Sequence, residues 1–330
     1  MSRLKNLLIF VAFLLYSVSL FPQVKIIFDT DFGGDADDLG ALAMLHNFVD
    51  RGECDLLAVM CWSTEQYAVP AIDAINRFSS HSDIPIGARK GQTYYESWSY
   101  SKPIADTLKY RLEYEDVPDA TILYRQLLAQ SEDTSITIVV TGPLMNIQNL
   151  IKSGADSISG ITGKELIEMK VKEFVIMGGQ YPSGDGEYNF DGGMPGVTRF
   201  VIQNINVPVT FSGFEVGAAI KTGSIFNGID KRTPLYVGFM HFSRNAPWIK
   251  EYYQGEILDN SSFDQTAILY AVRKGEGVYW DKVEGGYCDP DENGGNKWIP
   301  GDTTNHSYLK LKMDPEKMAG LIESIMLNNF

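Results

Sequence analysis

Five aspartates fall within ten residues, in the stretch DTDFGGDADD from Asp29 to Asp38, directly behind the apolar run VKIIF at Val24 to Phe28. Five carboxylates held that close repel strongly unless a cation or protons neutralise them. A short run rich in branched residues that stops at such a cluster reads as a buried parallel strand ending at a site. After Asp38, LGALAMLHNFV has helical spacing. The segment is therefore strand, loop and helix, the opening unit of a doubly wound sheet whose ligands bind beyond the carboxyl ends of its strands.

The same alternation recurs along the chain. Leu56 to Cys61 precedes the helical VPAIDAINRF, and Ile136 to Val140 precedes a helical Pro143 to Ile151; further strands are expected at Glu173 to Met177 and Val207 to Phe211. The fold class this predicts is α/β, a single doubly wound and mostly parallel sheet flanked by helices. The Gly-rich tracts Gly178 to Gly196 and Gly285 to Gly301 are expected as loops, since each is laced with acidic and aromatic residues. The stretch from Thr233 to Phe263, with Trp248, Tyr252 and Tyr253, reads as helical and aromatic, either core or a cap over a pocket. No short-period repeat or low-complexity linker divides the 330 residues.

A formal net charge of -14, with no stripe of Lys and Arg, argues against a nucleic-acid polymer as partner. Arg3 and Lys5 precede an apolar run from Leu7 through Leu20 that ends near Pro22 and Gln23. This reads as a signal peptide over residues 1–22, cleaved between about Ser19 and Gln23, leaving a single α/β domain over 23–330 that is exported to the periplasm or secreted. The rival reading, an uncleaved anchor, is weakened by Ser17 and Ser19 and by a run shorter than the roughly 20 residues of a span. Three cysteines, Cys54, Cys61 and Cys288, show no CxxC or Cys/His pattern, which supports neither zinc nor a disulfide framework. Cys54 and Cys61 read as buried small side chains.

For the acidic cluster a hard divalent cation is the natural neutraliser, and calcium tolerates the irregular site that one loop plus distant segments would make. Gly33 and Gly34 let the loop turn so that its carboxylates converge. An EF-hand fails, because the twelfth position counted from Asp29 or Asp31 is Gly40 or Leu42. A phosphatase forming an aspartyl-phosphate also places two aspartates after a strand, but leaves Asp35, Asp37 and Asp38 unexplained. A merely solvated acidic loop predicts no companion sites elsewhere.

Companion segments exist. DTDFGGDADDLGAL, TGPLMNI at Thr141 to Ile147, MGG at Met177 to Gly179 with EYN at Glu187 to Asn189, and FDQTAILYA at Phe263 to Ala271 follow in order. Together they resemble the nucleoside hydrolase family, the inosine-uridine-preferring type and its relatives. The resemblance implies one calcium ion held by Asp31, Asp38, the main-chain carbonyl of Thr141, and Asp264, with Asp29 supporting the loop. It implies Asp31 as the general base on a calcium-activated water. Asp37 or Asp35 would take a ribose hydroxyl, and Met177, Glu187 and Asn189 would contact the sugar. In plainer readings Asp264 is a helix N-cap, Glu187 and Asn189 are ordinary loop residues, and Thr141 to Pro143 is only a strand-to-helix turn.

Three departures stand out. Asp31 and Asp38 are seven positions apart where the usual loop has five, so Asp35 and Asp37 compete for the hydroxyl. The position at which purine-cleaving members carry a leaving-group His is Phe263, and none of His46, His81, His241 or His306 replaces it by sequence matching. His46 reads as structural, and His306 is the better pocket candidate. The segment CWSTEQ lacks an Asn that many members place there, so the base pocket should differ, with Trp62, Tyr67, Trp248, Tyr252 and Trp298 as candidates to stack on a ring.

The expected activity is calcium-dependent hydrolysis of the N-glycosidic bond of a ribonucleoside or related N-riboside. The partner is a small molecule, no membrane span remains after cleavage, and a homo-oligomer is the analogy from relatives. The alternatives are a hydrolase of another glycoside on the same fold and a ribose- or carbohydrate-binding protein without turnover, which Phe263 favours.

Overall fold

The computed structural model describes residues 23–302 and 305–328; the segment 1–22, read as a signal peptide, lies outside the described residues. Branched, apolar runs form the first strands as expected: Val24–Thr30 (β1), Cys54–Cys61 (β2), Ile86–Ala88 (β3), Ile136–Val140 (β4) and Val171–Met177 (β5). Two-residue β6 is Ser183–Gly184, and Val209–Ser212 is β7. Lys221–Thr222 (β8) and Asn260–Ser261 (β9) are equally short, and Trp280–Val283 (β10), Gly286–Pro290 (β11), Asn296–Pro300 (β12) and His306–Leu311 (β13) complete the set.

Eight of these make one sheet in the order β10-β13-β7-β5-β4-β1-β2-β3. Every pairing in it is parallel except that of β10 with β13. Chain order reverses at β1, with β2 and β3 laid down on one side and β4, β5 and β7 on the other. A crevice therefore opens between the carboxyl ends of β1 and β4, the place where such sheets bind ligands. Register keeps the strand ends level, with Thr30 opposite Cys61, Asp29 opposite Val140, and Val140 opposite Ile176. Trp62, Asp31, Thr141 and Met177 consequently leave the sheet along one line.

Period-two alternation sends successive strand residues into two cores. Ile26, Phe28 and Val139 pack with the helices Asp37–Asp50, Ala68–Phe78, Phe263–Arg273 and Pro315–Met326. Ile27, Ile138 and Val140 pack on the opposite face with the helices Ala120–Gln130, Met145–Lys152, Gly163–Lys170 and Val197–Asn204. Each fully buried Val, Leu, Ile or Phe contributes about 1.5–3 kcal/mol. The sheet thus stays in place because both faces are covered, and its loops are free to carry chemistry.

Two expectations are corrected. The tract Gly285 to Gly301 is not a loop: β11 and β12 pair antiparallel in it, and β12 also pairs with β6. Its alternation is real, with Gly286, Cys288 and Pro290 buried and Tyr287 and Asp289 exposed, but glycines at both ends obscure it. The stretch Thr233 to Phe263 is helical only over Pro234–Asn245, with one 3-10 turn at Lys250–Tyr252, and ends in β9. Phe239 and Phe242 are core, whereas Trp248 is half exposed beside the cavity described below. Cys54, Cys61 and Cys288 are all buried and unpaired. Among the described residues no helix is long and apolar enough to cross a membrane.

Candidate active site

The loop after β1 turns at Gly33, whose φ of +116° suits glycine, and whose N–H donates to the buried Tyr100 hydroxyl at 3.2 Å. The helix Asp37–Asp50 begins at once, so Asp37 and Asp38 sit in its first turn, where the helix dipole favours negative charge. Asp29, still within β1, is held on both oxygens: Tyr124 donates from its hydroxyl at 2.9 Å and Asn146 from its side-chain amide at 3.0 Å. It has the contacts of a supporting residue. Thr141 N–H donates to the Asp29 carbonyl at 2.7 Å, which locks the turn after β4 to β1. Gly142 makes that approach possible, since a Cβ there would lie 2.8 Å from the Asp31 nitrogen.

Asp264 lies in the first turn of the helix Phe263–Arg273, and the N-cap is Ser262, so its burial is not explained by capping. Its N–H donates to Asp37 at 3.2 Å. One carboxylate oxygen each from Asp37, Asp38 and Asp264 lies within 4.8 Å of the others, all three residues being buried. Asp264 Oδ2 is buried with no hydrogen-bond partner. Thr30 donates its hydroxyl to Asp38, and the Asn260 amide donates to Asp35. Of the expected metal ligands, Asp38 and Asp264 belong to this trio, and Asp31 lines the same cavity beside Asp38.

Burial pushes the carboxyls up, and their neighbours push further. Asp31 rises to about 7, chiefly by desolvation and then by Glu187 and Asp35. Asp35 rises to about 6, and desolvation holds Asp37, Asp38 and Asp264 well above the usual carboxylate range, with mutual repulsion adding to it. An unpartnered buried oxygen inside a cluster of mutually repelling carboxyls suits a bound cation. The donors are all hard oxygens, which suits calcium or magnesium.

The cluster floors a cavity of about 590 Å³. Asp31, Asp35, Asp37, Asp38, Thr141, Met177, Glu187, Asn189 and Asp264 all line it, bringing together every residue the sequence reading assigned to the site. Glu187 caps the short helix Tyr188–Asp191, accepting from the N–H groups of Asn189 and Phe190, and from Gly179 N–H at 2.9 Å. Burial raises its carboxyl to about 7. The Asn189 amide donates to the carbonyls of Thr141 at 3.1 Å and Met177 at 3.2 Å, tying β4 to β5 across the site.

Aromatic residues wall the remainder. Trp98 meets Trp248 edge to face at 5.0 Å, and Phe214 stacks on Phe263 at 5.1 Å. Of the stacking candidates, Trp62 and Trp248 line the cavity, whereas Tyr67, Tyr252 and Trp298 do not. His306 does not line it either: its ring sits 5.7 Å from Phe211 and accepts from Cys288 N–H. His46 is structural, as read, buried against Asn76 and His81. Tyr94, Glu65, Glu96, Trp98, Gln180, Tyr188 and Phe214 were missed. Of these, only Glu65, in CWSTEQ right after a predicted strand, carried a positional signal.

A family model described as inosine-uridine preferring nucleoside hydrolase matches residues 26–275, a span that holds the acidic loop, Thr141 and Asp264. The chain belongs to this family. Nucleoside hydrolases act on N-glycosidic bonds, and the site of this nucleoside hydrolase is to be read in those terms. Its fold is similar to that of a plant nucleoside hydrolase, at 17% identity and a TM-score of 0.67 over 93% of this chain and 99% of that one. An inosine-guanosine nucleoside hydrolase matches at 17% identity and 0.63 over 92% and 98%. The type III effector protein XopQ, complexed with adenosine diphosphate ribose, matches at 14% and 0.61 over 93% of each chain. No curated protein matches this nucleoside hydrolase in sequence.

Proposed function

We propose that the chain hydrolyses the N-glycosidic bond of a ribonucleoside or related N-riboside with a bound calcium ion, giving ribose and free base. The observation that carries this is the buried trio Asp37, Asp38 and Asp264 at the floor of a cavity that also gathers Asp31, Glu187 and Asn189. These three carboxylates, with the main-chain carbonyl of Thr141, would hold the ion. When bound it would neutralise them and lower the pKa of a water. Asp31, adjoining but outside the trio, takes the proton of the attacking water as general base. Asp35, Met177, Glu187 and Asn189 hold the sugar. As the bond breaks, positive charge grows on the ring, and the surrounding carboxylates stabilise it.

The test uses mature protein with calcium on a nucleoside panel, read by reducing-sugar release. Asp31→Asn is expected to lower kcat by roughly 10²–10⁴ fold, the usual contribution of a general base, and chelation is expected to abolish release. Release that persists after complete metal removal rejects the calcium role. A second reading, a riboside binder without turnover, is favoured by Phe263 at the leaving-group position and by the ADP-ribose in the similar effector structure. It is identified by ribose binding of equal affinity in both forms with no release in either. The pattern of residues 1–22 supports export, which N-terminal sequencing of secreted protein checks.

A further inference from the structure

With Phe263 where a leaving-group acid would stand, and no histidine among the described residues lining the cavity, the proton for the departing base needs another source. Most lining carboxylates are already committed. Asp31, Asp37, Asp38 and Asp264 belong to the water and cation side, Asp35 is bonded by Asn260, and Glu187 is held by three backbone N–H groups. Glu65 differs. It is 2% exposed and lines the cavity, yet its Oε1 is buried with no hydrogen-bond partner, while Oε2 accepts from Tyr67 N–H at 3.0 Å and the Ala68 N–H also favours its anion. Trp62, on the same loop after β2, has its indole Nε1 buried and unpartnered as well. Arg89 fixes that indole from outside the cavity, its guanidinium 4.6 Å from the ring centroid and its Nε donating to the Trp62 carbonyl at 2.8 Å.

Two unsatisfied buried polar atoms on one cavity-lining loop are costly unless a ligand completes them. An indole N–H can only donate, so its partner must be an acceptor. We infer that the loop Trp62–Glu65 is the leaving-group subsite, with Glu65 as the acid that protonates the departing heterocyclic base and Trp62 Nε1 donating to a second acceptor on it. This rests on the hydrolase reading given above. The C1′–N bond breaks and its electron pair stays on nitrogen, which takes the proton from the Glu65 carboxyl. The water oxygen bonds to C1′ and its proton goes to Asp31, and both carboxyls then exchange protons with solvent. Desolvation, and then Glu96, raise the Glu65 carboxyl to about 7, so a substantial share is protonated near neutrality. The other titratable group facing it is the Tyr94 phenol, whose residue is paired backbone to backbone with Glu65.

The experiment compares inosine and uridine with 4-nitrophenyl β-D-ribofuranoside, whose leaving group departs without protonation. Glu65→Gln keeps an acceptor for Tyr67 N–H. It is expected to lower kcat on the nucleosides by roughly 10²–10⁴ fold, the usual worth of an acid catalyst, with under threefold change on the nitrophenyl riboside. The wild-type rate on nucleosides should fall as pH rises above about 7, a limb absent with the activated substrate. Trp62→Phe should raise KM on the nucleosides alone. Equal loss on both substrates, or a wild-type alkaline limb on both, overturns the assignment of Glu65, and so does a wild type that cleaves only the activated riboside. A wild type inert with calcium on the nucleosides and the activated riboside alike instead rejects the underlying hydrolase reading.

Discussion

Asp264 is in an awkward position as a side chain: it is buried, one oxygen has no partner, and Asp37, Asp38 and Asp31 all repel its charge. Removing that charge should help the metal-free protein and harm the loaded one. Asp264→Asn is expected to raise the melting temperature measured in chelator, and to abolish the rise that calcium is expected to give the wild type. That rise corresponds to about 2.7 kcal/mol at a hundredfold excess over Kd, and differential scanning calorimetry with and without calcium reads both effects. The aspartates were legible in the sequence because like charges at that density demand an explanation, and Thr141 was legible through its companions. That Asp37 lies within reach of both Asp38 and Asp264 was not, because that depends on where the loop enters the helix. Glu65 carried only its place after a predicted strand, since one acid in a polar loop acquires its meaning from its burial.

At the level of elements, the helix that presents Asp37 and Asp38 is fastened at its other end by histidines. His46 Nε2 is 3.0 Å from Asn76 Oδ1 in the helix Ala68–Phe78, and its ring stacks on His81 at 5.0 Å. Burial, with the charge of His81, pushes the His46 imidazole down to about 3 from an ordinary 6.5. The unfolded chain therefore takes up the proton first, and stability is lost as pH falls from about 6.5 toward 3, by up to about 1.4 kcal/mol per pH unit. Without calcium the acidic cluster acts in the opposite sense, since carboxyls raised to about 7 in the fold stabilise most at low pH and lose that contribution as pH rises through 7. His46→Gln separates the two: urea melts at pH 6.5 and 4.5 in calcium should show a smaller difference in the variant than in the wild type. The central strands were readable from their apolar runs. β3, β10 and β13 were not, because a three-residue strand has no measurable period, and the edge strand WDKV and its neighbour HSYLKL are too polar to look buried.

Across the whole molecule, the helices Asp37–Asp50 and Pro315–Met326, the first and last among the described residues, are joined by one side chain. The Asn47 amide donates to the carbonyls of Ile325 at 2.7 Å and Met326 at 3.0 Å, satisfying oxygens at the end of the helix Pro315–Met326. Asn47→Ala leaves those acceptors without that donor and should cost about 1–3 kcal/mol in urea denaturation, with kcat unchanged below the transition. The α/β class and the existence of a site at strand ends followed from alternation alone. The reversal at β1 did not, because strand order is set by which faces meet in three dimensions, and that reversal fixes where the cavity opens.

The third carboxylate of the trio comes 227 residues after Asp37. A chain growing from its N-terminus thus carries the acidic loop complete, and chemically idle, through most of its synthesis. Only when Phe263–Arg273 docks does the centre close. A fragment that stops short of that helix lacks the third carboxylate, however well its first strands fold.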